Sequence, residues 1–145
     1  WDEFEAKLTG ELKSIFFCCQ AVLPGMIERK SGSIIAISST LSRHSSPGFI
    51  VHSTAKSGLD AFVRSLAEEV GPFGVRVNVV APGLTLTDAT AWLPEEQKAM
   101  IGEMAPLKRV ALPEDIAGVV LAVASSHSRF VTGCYIPVSG GLLML

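Results

Sequence analysis

Segments with the apolar period of a helix alternate along this 145-residue chain with short runs of β-branched residues. Residues 33–39 and 75–80 are the two clearest runs, and both read as strands that are apolar on both faces. A strand of that kind needs a cover on each side, which parallel sheets obtain from helices. The alternation therefore predicts an α/β fold, with a parallel sheet and helices on both faces.

The other elements follow from periodicity and from the placement of Pro and Gly. A chain of 145 residues is long enough to bury the core of one domain. The predicted elements are, in order, a helix over residues 1–30 that ends or bends at Pro24, the strand 33–39, a helix over 51–70, the strand 75–80, short helices opening at Pro94 and Pro113, and a last strand over 133–138.

Composition and charge exclude several classes of function. The chain is 48% hydrophobic and 18% charged, which is typical of a folded domain and not of a disordered one. Its net charge is −2, and no basic cluster is longer than a pair such as Arg29-Lys30, so we expect no nucleic-acid partner. Apolar stretches such as residues 116–124 are shorter than the ~20 residues of a membrane span, so we expect no membrane association.

Cysteine usage points to the cellular setting. Cys18, Cys19 and Cys134 lack the spacing of a metal site, so no metal is expected. An odd number of cysteines without a framework fits a reduced, cytoplasmic environment. The neighbours of Cys18 and Cys19 in sequence are apolar, so both are predicted to be packing residues.

One constellation suggests chemistry. The strand 33–39 ends in Ser39, His52 follows thirteen residues later, and Lys56 lies four residues beyond it. Residues at i and i+4 share a face of a helix, so His52 and Lys56 can point into the same space as a serine at the end of the strand. That layout suits a site that moves a proton next to a carbonyl oxygen. The alternatives are a loop-capping role for Ser39, a competing role for Ser38, and a Lys56 that only lies along apolar surface.

The segment resembles the active-site motif of the short-chain dehydrogenase/reductase family, in which a serine, twelve residues, a tyrosine, three residues and a lysine follow one another. The spacing is kept here by Ser39, His52 and Lys56, with the Ala55-Lys56-Ser57 context that the family favours. The 3-oxoacyl carrier-protein reductase branch is the most similar. The departure is His52, which stands where the family has tyrosine.

The resemblance implies hydride transfer between NAD or NADP and a small carbonyl or alcohol substrate. It implies that Ser39 hydrogen-bonds the substrate carbonyl and that Lys56 holds the nicotinamide ribose and lowers the pKa of its catalytic neighbour. The segment Pro82-Gly83-Leu84-Thr85-Leu86-Thr87 is similar to the family's Pro-Gly segment, in which the backbone near Thr85 and the hydroxyl of Thr87 would meet the nicotinamide carboxamide.

Two positions depart from the catalytic set of the family. An imidazole has a reference pKa of about 6.5, against about 10 for tyrosine, and a neighbouring Lys56 would lower it further. His52 is then either a working acid/base or the mark of a site with lost or altered chemistry. Glu11 aligns, through Phe16, Cys18, Gln20 and Pro24, with the family's catalytic asparagine. It is expected to pair with Lys56, to receive a proton through water, or to form only a partly exposed ion pair.

The resemblance covers the C-terminal three-fifths of the family's length. Residues 1–145 are therefore expected to be the C-terminal part of a single domain, without the family's glycine-rich N-terminal part. It also implies a homodimer or homotetramer formed through the helices at 1–30 and 51–70. The rival hypotheses are a binding or regulatory protein that keeps the fold without turnover, and proton chemistry without net redox change.

Overall fold

The computed structural model describes residues 1–145 and contains five α-helices and three strands. In chain order they are α1 (Asp2–Leu8), α2 (Ser14–Glu28), β1 (Gly32–Ile37), α3 (Ile50–Val70), β2 (Val75–Pro82), α4 (Glu95–Met104), α5 (Pro113–Ala124) and β3 (Tyr135–Val138). The strands form one parallel sheet in the order β1-β2-β3, in which Ala36 pairs with Val79 and Val79 with Tyr135. The predicted alternation and the α/β class are confirmed.

Successive residues of β2 show that both faces of the sheet are covered. Val75, Val77 and Val79 belong to the main apolar cluster with residues of α2 and α3. Arg76 points to the other face, where its guanidinium donates to the carbonyl oxygens of Val123 and Ala124 at the end of α5. Since successive strand residues point to opposite faces, α5 covers the side opposite α3. None of the helices combines the length and apolar character that crossing a bilayer requires.

The first helical segment is less regular than its apolar period predicts. Residues Thr9–Lys13 form a π-helical turn between α1 and α2. A π-turn accommodates one extra residue, which changes the helical register between the segments on either side of it. Pro24 lies inside α2, which continues to Glu28, so the expectation that Pro24 ends the helix is wrong.

Two burial expectations fail. β1 pairs with β2 alone, so it is an edge strand of this sheet, and Ile37 is 45% exposed; the expectation of a fully buried strand over 33–39 is wrong. Cys19 is buried beneath α2, whereas Cys18 is exposed and does not pack in the core. Adjacent residues of a helix point about 100° apart, so one of two neighbouring cysteines can face solvent.

Asn78 ties β2 to the segment that leads into β3. Its side chain is fully buried. The amide Nδ2 donates to the Val131 carbonyl at 2.9 Å, and Oδ1 accepts from the Cys134 N–H at 3.1 Å. In the same crossing, the Val77 N–H donates to the Thr132 hydroxyl at 3.0 Å. These side-chain bonds add to two backbone bonds that join the same segments before β3 begins at Tyr135, from the Gly133 N–H to the Val77 carbonyl and from the Val79 N–H to the Cys134 carbonyl.

We predict that Asn78→Leu lowers the free energy of unfolding by about 2 to 4 kcal/mol, because the Cys134 N–H and the Val131 carbonyl lose the partners that the buried amide supplies. Urea unfolding of the intact protein measures the change. Gln97→Leu is the matched control, since Gln97 is an exposed amide on α4 and its loss should change stability by less than about 0.5 kcal/mol. Equal effects of the two substitutions would contradict the role given to Asn78.

Candidate functional site

The carboxyl end of β1 is fastened to α3 at Lys56. The Lys56 Nζ donates to the Ile37 carbonyl at 3.0 Å, and the Ser38 hydroxyl donates to the Lys56 carbonyl at 3.4 Å. Lys56 is buried, with 9% of its surface exposed. A buried ammonium needs hydrogen-bond acceptors, and the strand end supplies one of them.

Glu11 supplies the second acceptor. Its Oε2 lies 2.7 Å from the Lys56 Nζ, and its Oε1 lies 2.9 Å from the Lys7 Nζ. The expected pairing of Glu11 with Lys56 is confirmed as a contact. Glu11 lies in the π-helical turn, so this irregular stretch of helix delivers the carboxylate to α3. Lys7 was missed by the sequence reasoning, although its i,i+4 spacing from Glu11 could have indicated it.

The pKa of the Glu11 carboxyl is lowered. Partial burial acts in the opposite direction and would raise it, but the hydrogen bonds from Lys56 and Lys7, together with their positive charges, outweigh burial. One carboxylate thus lies between two ammonium groups, and the group of three carries a net positive charge. Any titratable ring beside it is biased against taking up a proton.

His52 is that ring. Its pKa is lowered, first by partial burial and then by the positive charges of Lys7 and Lys56, while Glu11 acts weakly in the opposite sense. The imidazole is therefore neutral at pH 7, with one N–H donor and one acceptor nitrogen. The Phe49 ring lies edge-on to it, with the ring centres 6.4 Å apart.

His52 borders an open cavity of about 460 Å³ between the first turns of α1 and α3. The other lining residues are Glu3, Ala6, Lys7, Gly48 and Val51. The cavity gives His52 access to small molecules from the side of α1, and its polar lining comes mainly from Glu3 and Lys7. It is the space in which a group bound beside the imidazole would lie.

Ser39 follows β1 and opens the short 3-10 turn Thr40–Ser42. Its hydroxyl oxygen accepts the Leu41 N–H at 3.2 Å, and its hydrogen makes no bond within the chain. Ser38, the competing serine, is buried and donates its hydrogen to the Lys56 carbonyl. Of the two serines, Ser39 is the one with a free donor.

The Pro82–Thr87 segment follows the neighbouring strand, so it lies along the same edge of the sheet as Ser39. A Cβ at Gly83 would lie 3.0 Å from the Cβ of Ser139, so close packing against the chain after β3 disfavours a larger residue here. The Thr85 hydroxyl donates to the Gly83 carbonyl at 3.2 Å. In the turn that follows, the Thr87 N–H donates to the Thr90 hydroxyl at 3.0 Å, and the Thr87 hydroxyl itself makes no hydrogen bond within the chain.

These residues are compatible with a nicotinamide nucleotide. Lys56 has three N–H donors and uses two, on Glu11 and on Ile37, so one can reach a ribose hydroxyl. Thr87 keeps a hydroxyl hydrogen that can be donated to a carboxamide oxygen. The structure thus brings Glu11 and Lys56 into contact, leaves His52 near enough for their charges to act on its pKa, and places Ser39 and the Pro82–Thr87 segment at the ends of adjacent strands.

Tyr135 is a second residue that the sequence reasoning missed. It is the only tyrosine of the chain and lies in β3, and its hydroxyl donates to the Ser39 carbonyl at 3.0 Å. The two residues are 96 positions apart in sequence, so no local spacing could have indicated the contact.

Comparison with known proteins gives a consistent picture. A family model described as enoyl-(acyl carrier protein) reductase matches residues 1–143. The chain is similar to the 3-oxoacyl-[acyl-carrier-protein] reductase FabG of Pseudomonas aeruginosa, with 41% identity over 144 residues that cover 99% of this chain and 58% of that protein. The FabG of Aquifex aeolicus is 41% identical over 140 residues, which cover 97% of this chain and 56% of that one.

Solved structures agree. A 3-oxoacyl-[acyl-carrier protein] reductase with bound NAD from Brucella melitensis superposes with a TM-score of 0.90 at 34% identity, over 99% of this chain and 53% of that one. A short-chain type dehydrogenase/reductase from Mycobacterium ulcerans gives a TM-score of 0.92 at 27% identity, over 97% and 52% of the two chains. The chain thus spans between half and three-fifths of the length of the relatives it matches.

We predict shifts of opposite sign in the pKa of His52 when its charged neighbours are removed one at a time. Lys7→Met should raise it, because a positive charge is lost, and Glu11→Gln should lower it, because a negative charge is lost. Titration of the ring signals by NMR measures both. Lys13→Met is the control, because Lys13 lies in the same helical segment but its charge does not contribute to the pKa shift of His52. Shifts of the same sign in the two test variants would refute the electrostatic account.

Proposed function

The chain belongs to the short-chain dehydrogenase/reductase family, and we propose that it works in an oxidoreductase that transfers a hydride between NAD or NADP and a carbonyl or alcohol substrate. Within the family we propose a 3-oxoacyl thioester as the substrate, because relatives at 41% identity bear that reductase name. One observation carries the proposal: the buried ammonium of Lys56 donates a hydrogen bond to the carbonyl of Ile37, which ends β1 and lies two residues before Ser39.

Lys56 and the Pro82–Thr87 segment would hold the cofactor. The free N–H of Lys56 would donate to the ribose, and Thr87, with the backbone near Thr85, would bind the carboxamide. When bound, the nicotinamide supplies or accepts the hydride. The bond from Lys56 to the Ile37 carbonyl supports this assignment, because it fixes the ammonium relative to the sheet edge.

Ser39 would polarise the substrate oxygen. Its hydroxyl has one acceptor lone pair committed to the Leu41 N–H and a hydrogen free to donate. A donor fixed in place before the reaction stabilises the negative charge that develops on the oxygen when a hydride arrives at carbon. The Ser38 hydroxyl already donates its hydrogen to the Lys56 carbonyl, which supports Ser39 as the serine in this role.

His52 would move the proton. A neutral imidazole can donate its N–H to an alkoxide and can accept a proton from an alcohol in the reverse direction. The imidazole is shorter than the phenol that the family uses, so the substrate oxygen has to come closer to α3. Glu11 would act on both groups: it holds Lys56 and partly offsets the positive charge that His52 experiences.

The proposal includes the setting of the chain. Residues 1–145 would form the C-terminal part of one cytoplasmic domain, in line with their match to 58% of the P. aeruginosa relative. We place a homodimer or homotetramer interface on the long helices, where the half-exposed rings of Phe16 and Phe17 lie next to each other on α2 with centroids 5.5 Å apart.

We predict that the intact protein oxidises NADPH or NADH in the presence of an acetoacetyl thioester, and that His52→Phe lowers kcat about 100-fold or more, because the proton donor is lost. His52→Tyr should keep or raise the rate, since it restores the donor that the family uses. Absorbance at the nicotinamide band, with product analysis, measures each rate.

His44→Tyr is the matched control: it makes the same change at an exposed histidine of the neighbouring loop and should leave the rate unaltered. A wild-type protein without turnover, together with a His52→Tyr variant that gains it, would overturn the proposal that the native chain is an oxidoreductase and favour a binding protein of the same fold. Product formation without nicotinamide would indicate proton chemistry alone.

A further inference from the structure

Four oxygen atoms from three parts of the chain meet beneath the Ser39 loop. The Ser42 hydroxyl lies 2.6 Å from the Asp60 Oδ2 on α3 and 2.9 Å from the Ser39 carbonyl. The Tyr135 hydroxyl, on β3, lies 3.0 Å from the same carbonyl and 3.3 Å from the Ser42 hydroxyl. Asp60 is 2% exposed, so the group is closed to solvent on the side of α3.

Counting hydrogens decides which bonds are made. A carboxylate and a carbonyl only accept, while Ser42 and Tyr135 each have one hydrogen to donate. The contact between Ser42 and Asp60 is the shortest and is charge-assisted, so the Ser42 hydrogen lies there. The Ser39 carbonyl then accepts the Tyr135 hydroxyl hydrogen and, from the backbone, the Ser42 N–H at 3.0 Å.

The surroundings of Tyr135 keep that hydrogen in place. Its pKa is raised, mainly by partial burial; the hydrogen bond with Ser42 lowers it, the negative charge of Asp60 raises it again, and Arg43 opposes that last effect. The Arg43 guanidinium lies 4.8 Å from the centre of the Tyr135 ring and 3.5 Å from Asp60. It covers the outer side of the group and balances the buried carboxylate.

The Ser39 peptide is consequently held from two sides. Tyr135 and the N–H of Ser42, whose side chain is bound to Asp60, fix its carbonyl, and the Leu41 N–H fixes its side-chain oxygen at 3.2 Å. Rotation of the peptide would move the hydroxyl away from the edge of the sheet. A displacement of about 1 Å in a reacting or polarising group can reduce a rate about 100-fold.

We propose that Tyr135 and Ser42, the latter anchored on Asp60, are positioning residues that aim the Ser39 hydroxyl at the substrate oxygen. The proposal rests on the function proposed above, because it takes Ser39 to be the residue that polarises that oxygen. It gives the only tyrosine of the chain a place in the site, in β3, without contact with substrate or cofactor.

Tyr135→Phe in the intact protein is the first test, because it removes one oxygen and keeps the ring. We expect kcat for the acetoacetyl thioester to fall about 10-fold or more, with the KM for NADPH changed less than twofold. The Leu41 amide should exchange its hydrogen about five to ten times faster, because its acceptor is no longer held in place. Ser42→Ala should act in the same direction, and Ser42→Thr, which keeps the hydroxyl, should restore both readouts.

Thr132→Val is the matched control. It removes a hydroxyl that accepts the Val77 N–H at 3.0 Å, in the chain just before β3, without touching the Ser39 loop. It should weaken the fold and speed the exchange of the Val77 amide, while kcat and the exchange of the Leu41 amide stay unchanged. The comparison separates a positioning effect from general loss of stability.

Unchanged kcat and unchanged Leu41 exchange in Tyr135→Phe would overturn the proposal, as would effects that Thr132→Val reproduces. A wild-type protein without hydride transfer would be a failure of the proposed function instead. The Leu41 exchange then decides the positioning claim by itself: faster exchange in Tyr135→Phe supports it, and unchanged exchange refutes it.

Discussion

The buried ammonium of Lys56 is the constraint on which the site depends. Removing a cation from water is costly unless acceptors replace its hydration, and here they come from two other elements, the Glu11 carboxylate and the Ile37 carbonyl. The bonds therefore fix α3 relative to β1 and to the π-helical turn at once. Ser39 follows β1 and His52 lies on α3. The contacts of Lys56 therefore set the positions of both residues as well as the packing of these elements.

Most of the architecture could be predicted because it depends on local patterns. The apolar period predicts a helix that begins at residue 51, one residue after the observed start of α3. The alternation of helices and strands predicts the parallel sheet. The π-helical turn has no such pattern, since it is selected by the docking of Glu11 on α3. Exposure of Ile37 depends on which strands flank β1, which a run of apolar residues does not specify.

The candidate site was predictable in part for the same reason. Spacing within one helix placed His52 beside Lys56, and the position at the end of a strand placed Ser39 at the sheet edge. The residues that tune them, Lys7 and Tyr135, reach the site through tertiary contacts with α3 and with the Ser39 loop. Local sequence patterns therefore indicate the candidate reactive side chains. They do not indicate the residues that orient those side chains or shift their pKa values, because these act through tertiary contacts.

The π-helical turn has a consequence for how this chain can vary in length. Deleting a single residue within Thr9–Lys13 would leave an uninterrupted α-helix, and α1 would keep nearly its orientation relative to α2, because a π-turn accommodates its extra residue without adding a full α-helical step of rotation. Lys7 and the wall of the cavity beside His52 would then stay in place, while the turn that carries Glu11 would be rebuilt. Natural chains that differ by one residue at this point should therefore differ in how the Lys56 ammonium is held.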